Sequence, residues 1–304
     1  MSGFYTLPRR VLLLLTACSA SPFVEVRDFG TNPGGLRMFE HVPDDVGEAP
    51  PLVLFLHGCS QDHDAARATG FVERSDAEGF VLLAAEQALL NNASRCFNWF
   101  AAGDTTRDAG EALSLREMVA DATERHDVDP ARIFVAGLSA GAAMTVALLA
   151  VYPEVFAAGG AAAGGPYGCA TDVTDAAACM AGEHSEDWVA KVRDASDHEG
   201  PWPRLVALQG DADRLVDPSN LDLLADQWAG VHALTEPVSS TFPTSRGDAQ
   251  VTTFGDRVVE TVRFPDVDHV LPICPDAACG ETAPFLVDVG FCASAHITKF
   301  FGLP

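Results

Sequence analysis

The sequence predicts an α/β fold with a mostly parallel central sheet and helices on both faces. Three observations carry this. Continuous apolar runs recur at residues 52–56, 80–84, 133–136 and 205–208, and such runs suit strands buried on both sides. Helical patterns lie between them at 65–77, 109–126 and 140–152. The alternation has βαβ spacing, with Asp129-Pro130 and Pro153 ending the last two helices.

The remaining elements fit around that frame. Residues 23–29 and 36–41 read as edge strands. Residues 157–165 are alanine and glycine only and read as a strand and turn where backbones approach closely. The polar segment 169–200 reads as an insertion above the sheet. Alternation at 250–254 and 258–264 indicates a hairpin, and 293–301 a closing helix.

Bulk properties set limits. A chain of 304 residues with 48% hydrophobic content fills one sizeable domain. The net charge of −24 argues against nucleic acid as a partner, because phosphates would be repelled.

The N-terminus reads as an export signal. Arg9 and Arg10 precede a short apolar core at 11–15, too short to span a bilayer. Leu15-Thr16-Ala17-Cys18 resembles a bacterial lipobox, in which the cysteine is lipidated. The expected organisation is a signal peptide at 1–17, a short tether at 18–34 and a catalytic domain at 35–304. The expected location is the cell surface, periplasm or extracellular space, with an anchor at Cys18. An ordinary secretory signal cut near Ala20 is the alternative.

Export turns the other seven cysteines into candidate disulfides, with one left over. The pairing expected is Cys59–Cys96, Cys169–Cys179 and Cys279–Cys292, leaving Cys274. Connectivity does not follow from sequence, and Cys274–Cys279 stays open. No C-x-x-C pair is present, so no metal site is expected.

Gly137-Leu138-Ser139-Ala140-Gly141 carries the chemistry. An apolar strand delivers a serine to a tight turn, and a small-residue helix follows at once. This is how a nucleophile elbow is written in sequence. A serine hydroxyl needs a base, and the base needs a carboxylate that fixes its tautomer. In this architecture acid and histidine follow the serine in that order, each after a strand. Asp213 follows the strand at 205–208, with Asp211 as competitor. His269 follows the strand at 258–264, whereas His296 lies inside the closing helix. The oxyanion hole needs two N–H donors. Ala140 is one candidate. Cys59, after the first buried strand, is the other, with Ser60 close behind. His57 is expected to hold that turn by hydrogen bonds.

Together these motifs resemble the esterase family of polyhydroxybutyrate depolymerases and feruloyl or acetylxylan esterases. The likeness rests on Leu56-His57-Gly58-Cys59-Ser60-Gln61-Asp62, Arg95-Cys96-Phe97-Asn98-Trp99-Phe100, residues 129–141, the G-x-x-D-x-x-V pattern from Gly210 to Val216, and residues 286–292. It spans roughly residues 35–304. It implies an α/β-hydrolase fold, secretion, ester cleavage through Ser139, Asp213 and His269, and no cofactor. Trp99 either lines the substrate groove or belongs to the core. Two positions depart from the family pattern. Asp268 stands where glycine usually precedes the histidine. Gln209 stands where histidine often precedes the glycine of the acid loop, a change expected to touch only packing or the substrate rim.

Polyhydroxybutyrate and its oligomers are the first substrate expectation, and feruloyl or acetyl esters of plant polysaccharide the second. No polymer-binding domain follows to Pro304, which points to oligomers or amorphous material. A non-catalytic surface lipoprotein is the reading of another class, and labelling by a fluorophosphonate separates it from an esterase.

Overall fold

Ten strands form one mixed sheet in the computed structural model, which describes residues 22–183 and 187–304. Arg9, Arg10, Cys18 and the expected signal peptide lie outside the described residues. In chain order the strands are β1 (Val24–Val26), β2 (Arg37–His41), β3 (Leu52–Leu56), β4 (Val81–Glu86), β5 (Ile133–Leu138), β6 (Ala158–Ala162), β7 (Arg204–Gly210), β8 (Pro237–Thr244), β9 (Gly247–Phe254) and β10 (Val259–Phe264). They lie in the order β1-β2-β4-β3-β5-β6-β7-β10-β9-β8. The central run from β4 to β10 is parallel, and the two margins are antiparallel.

The central strands are buried along their length. Successive side chains point to opposite faces, so each strand feeds two cores. Leu52, Leu54 and Leu56 of β3 enter one core; Val53 and Phe55 enter the other. Helices α4 (Gly110–His126), α5 (Ala140–Val151) and α8 (Ser219–Val231) cover the first face with Leu115, Met144, Leu221 and Trp228. Helices α2 (Phe71–Glu78) and α9 (Ala293–Phe301) cover the second with Phe71, Ile297 and Phe300. The result is the three-layer α/β-hydrolase architecture.

The strand order places the functional loops. From β3 the chain crosses to β4, then returns past β3 to β5. The carboxyl ends of β3 and β5 therefore flank a switch point, where open α/β sheets hold their ligands. A two-stranded parallel sheet of β11 (Leu271–Ile273) and β12 (Leu286–Asp288) sits beyond β10. Two short helices, α6 (Val173–Met180) and α7 (Trp188–Arg193), fall in the inserted segment between β6 and β7; α3 (Ala102–Thr105) precedes α4.

Several expectations change in detail. The helix at 65–77 is two, α1 (Ala65–Ala68) and α2. Gly70 separates them at φ +88, and a Cβ there would lie 2.8 Å from the Gly280 nitrogen. The hairpin is a three-stranded meander, because β8 was hidden by its polar, proline-bearing sequence. The first edge strand shortens to β1, which pairs with β2 and so brings part of the 18–34 stretch into the sheet. All three expected disulfides are present and Cys274 is free. Cys274 and Cys279 instead meet through a backbone bridge.

Candidate active site

Ser139 ends β5 and starts α5 with φ 57 and ψ −120. A left-handed backbone at a non-glycine residue is strained, and such strain collects at functional sites. The flanking glycines make the turn possible. A Cβ on Gly137 would lie 2.3 Å from the Gly141 carbonyl oxygen, and one on Gly141 would lie 2.1 Å from the Leu56 carbonyl oxygen. No side chain fits at either place. The Ser139 N–H donates to the Ala162 carbonyl at 2.8 Å, which fixes the elbow against β6.

Three of the expected residues meet in a hydrogen-bonded chain. His269 Nε2 lies 2.8 Å from Ser139 Oγ, and His269 Nδ1 lies 2.7 Å from Asp213 Oδ2. The side chains of Asp213 and His269 are both buried. The carboxylate accepts more. Its Oδ1 takes the backbone N–H of Leu215 at 2.8 Å and of Val216 at 2.9 Å. Its Oδ2 also takes Gln209 Nε2 at 2.7 Å. The expectation for Gln209 is therefore corrected: it holds the carboxylate itself, not the substrate rim.

The competitors have other work. Asp211 Oδ1 accepts the Asp266 N–H at 2.7 Å, tying the acid loop to the histidine loop. A Cβ on Gly210 would lie 2.1 Å from the Val267 carbonyl, so the two loops meet where only glycine fits. Asp268, in the place of the usual glycine, accepts the N–H groups of His269 and Arg214. Those bonds hold its carboxyl below the ordinary range, the His269 bond foremost. His296 pairs with Glu260 instead.

The turn after β3 carries Cys59. His57 is fully buried. Its Nε2 accepts the Gln87 N–H at 3.1 Å, so its proton is on Nδ1, which donates to the Gly58 carbonyl at 2.7 Å. Burial lowers its pKa and keeps the ring neutral. The Cys59–Cys96 disulfide ties this turn to the loop bearing Trp99. Cys59, Trp99, Ser139 and Ala140 line one cleft together. Trp99 is half-buried, packed against the Cys169–Cys179 cluster while facing that cleft.

Two lining residues escaped the sequence reading. Phe285 meets the His269 ring edge-on at 6.0 Å and has φ 65. Asn220 looks like an ordinary residue of a helix start. Neither carries a motif, since tertiary approach alone brings it to the serine.

Residues 39–242 match the family model described as "Esterase PHB depolymerase". The chain belongs to the PHB depolymerase esterase family. Within it, the chain is 37% identical over 302 residues to poly(3-hydroxyalkanoate) depolymerase C of Paucimonas lemoignei, covering 96% of this chain and 73% of that relative. It is 31% identical to an acetylxylan esterase of Coprinopsis cinerea, covering 83% of this chain and 70% of the relative. The solved acetyl xylan esterase from Aspergillus awamori superposes with a TM-score of 0.77 at 25% identity, over 84% of this chain and 96% of that one. Like other members of this esterase family, the protein is an enzyme, a serine carboxylic-ester hydrolase. Its three disulfides fit a protein that matures in an oxidising compartment outside the cytoplasm.

Proposed function

We propose that this esterase hydrolyses short hydroxyalkanoate oligomers or polyester through an acyl-enzyme formed on Ser139. The observation that carries the reading is the unbroken chain from Ser139 Oγ through His269 to Asp213. Ser139 attacks the ester carbonyl while His269 Nε2 takes its proton. Asp213 holds His269 with Nδ1–H directed at the carboxylate and offsets the imidazolium charge. The N–H groups of Ala140 and Cys59 stabilise the tetrahedral oxyanion; Ala140 starts α5, where helix N–H groups are free to donate. His269 then returns the proton to the leaving alcohol, and water repeats the sequence to release the acid. Trp99 serves as a wall for substrate.

The P. lemoignei depolymerase supports polyester as the substrate class. Acetylxylan is the second reading, supported by the A. awamori structure. Ser139→Ala should lose hydrolysis of p-nitrophenyl butyrate and labelling by a fluorophosphonate, with an unchanged circular dichroism spectrum. Retained turnover would refute the assignment. Clearing of amorphous polyhydroxybutyrate, measured beside acetate release from acetylated xylan, separates the two substrates.

We also infer that the chain is anchored by lipid at Cys18. Cells fed a clickable palmitate analogue should yield labelled protein, and Cys18→Ala should remove the label. An unlabelled parent protein sinks the anchor.

A further inference from the structure

Strands β7 and β10 run side by side in parallel and end level, with Phe264 paired to Gly210. The acid loop leaves one strand and the histidine loop leaves the other. Asp213 and His269 therefore stand on separate loops, and their hydrogen bond depends on how those loops lie together. At the base the two backbones are joined directly. The Asp211 N–H donates to the Phe264 carbonyl at 2.9 Å, and the Ala212 N–H to the Val267 carbonyl at 3.0 Å. Further out, two carboxylates carry the connection.

Asp268 makes the closer tie. Its Oδ1 accepts the His269 N–H at 2.8 Å and the Arg214 N–H at 3.2 Å. Arg214 directly follows Asp213 in the chain. A single oxygen thus bridges the backbones at both partners of the Asp213–His269 bond. The same bonds keep the carboxyl below its ordinary range, so this oxygen is an ionised acceptor at neutral pH. Asp211 makes a second tie in the opposite sense. Its Oδ1, on the acid loop, accepts the Asp266 N–H of the histidine loop at 2.7 Å. Asp266 has φ 53, a left-handed backbone that costs energy at a non-glycine residue and persists only where its surroundings enforce it. The bond to Asp211 is one such restraint.

We infer that Asp268 is a positioning residue of the triad: its Oδ1 clasps the histidine loop to the acid loop and so sets the reach from His269 Nδ1 to Asp213, with Asp211 as a second clasp in parallel. The inference rests on the reading of Ser139, His269 and Asp213 as the reacting chain. The bonds of both clasps run to backbone N–H groups. Asp211 and Asp268 are exposed, so water can take the place of a lost acceptor and the N–H groups stay satisfied. Folding is therefore little affected. Water cannot replace the connection between the loops. An imidazole on a looser loop is misaligned for proton transfer, and the loss falls on kcat rather than on KM.

Steady-state kinetics of the intact enzyme on p-nitrophenyl butyrate, with urea denaturation of the same samples, tests this. Asp268→Ala should lower kcat roughly five- to tenfold, as loss of one or two hydrogen bonds does, with KM and the urea midpoint close to those of the parent. Asp268→Asn keeps an oxygen acceptor in the same place and should recover most of the loss. Asp211→Ala combined with Asp268→Ala should lower kcat by more than the product of the two single losses, because either clasp alone preserves part of the geometry. Parent-like kcat in Asp268→Ala overturns the inference. So does Asp268→Asn as slow as Asp268→Ala, which would assign the effect to charge instead of position. If Asp268→Ala folds poorly, the comparison of Asp268→Asn with the parent decides: recovery of kcat supports the clasp, and a full loss refutes it. Fluorophosphonate labelling keeps the two readings apart. A parent protein that labels at Ser139 leaves the esterase reading standing whatever the Asp268 variants do, and one that does not label removes both.

Discussion

At the scale of the residue, the site is a set of acceptors waiting for donors and donors waiting for charge. Asp213 shows it best. Its carboxylate is fixed by two backbone N–H groups and by Gln209 before it meets His269. Removing the Gln209 donor frees the oxygen that orients the imidazole. Gln209→Leu should lower kcat roughly fivefold with little change in KM, because the lost bond is worth about 1 kcal/mol and acts on the imidazole rather than on substrate. Steady-state kinetics on p-nitrophenyl butyrate checks this; an unchanged kcat would show that the backbone donors suffice. Ser139, Asp213 and His269 were legible as a group because chain order constrains them: each follows a strand, in a fixed sequence. Gln209, Asn220 and Phe285 were not. Their roles depend on loops meeting in space, and nothing in their sequence neighbours marks those encounters.

At the scale of the element, close backbone approach decides where glycine stands. Gly141 lies where the start of α5 crosses the end of β3, with no room for a methyl group. Gly141→Ala should cost at least about 3 kcal/mol, as overpacking against immovable backbone does. Gly47→Ala is the control, since an added Cβ there meets nothing within 4 Å. Urea denaturation of both variants checks the contrast, and equal stability would contradict the geometry. The apolar runs of β3, β4 and β5 were readable because strands buried on both faces leave no polar alternation. β8 was not readable for the opposite reason: five of its first residues are exposed, so no face had to be apolar. The break between α1 and α2 also escaped notice, because one glycine inside a helical pattern does not announce a left-handed turn.

At the scale of the whole molecule, a strongly acidic protein buries the carboxyl of Glu111 completely. Glu111, in the first turn of α4, is 0% exposed. It accepts Gln87 Nε2, Asn91 Nδ2 and the Asn98 N–H. It thus links the loop before Trp99 to the residue whose N–H holds His57. Burial pushes its pKa from the ordinary 4.5 up to about 8, against those donors. A carboxyl so shifted binds its proton more tightly folded than unfolded. Its contribution is fully present below the unfolded value and is lost as pH rises through about 8. The stability of the parent protein relative to Glu111→Gln should therefore fall between about pH 5 and pH 8, by on the order of a few kcal/mol. Denaturant titrations across that range check it, and a difference independent of pH would refute it.

The sheet has two margins, and neither invites company. β1 is three residues long. β8 is eight residues long, but Pro237 and Pro243 stand near its two ends, with Val238, Ser239, Ser240, Thr241 and Phe242 between them. A proline offers no N–H to an incoming strand, and short or interrupted edges are how natural sheets refuse further pairing. Among the described residues, the open ten-stranded sheet thus offers an incoming strand no long uninterrupted edge at either margin.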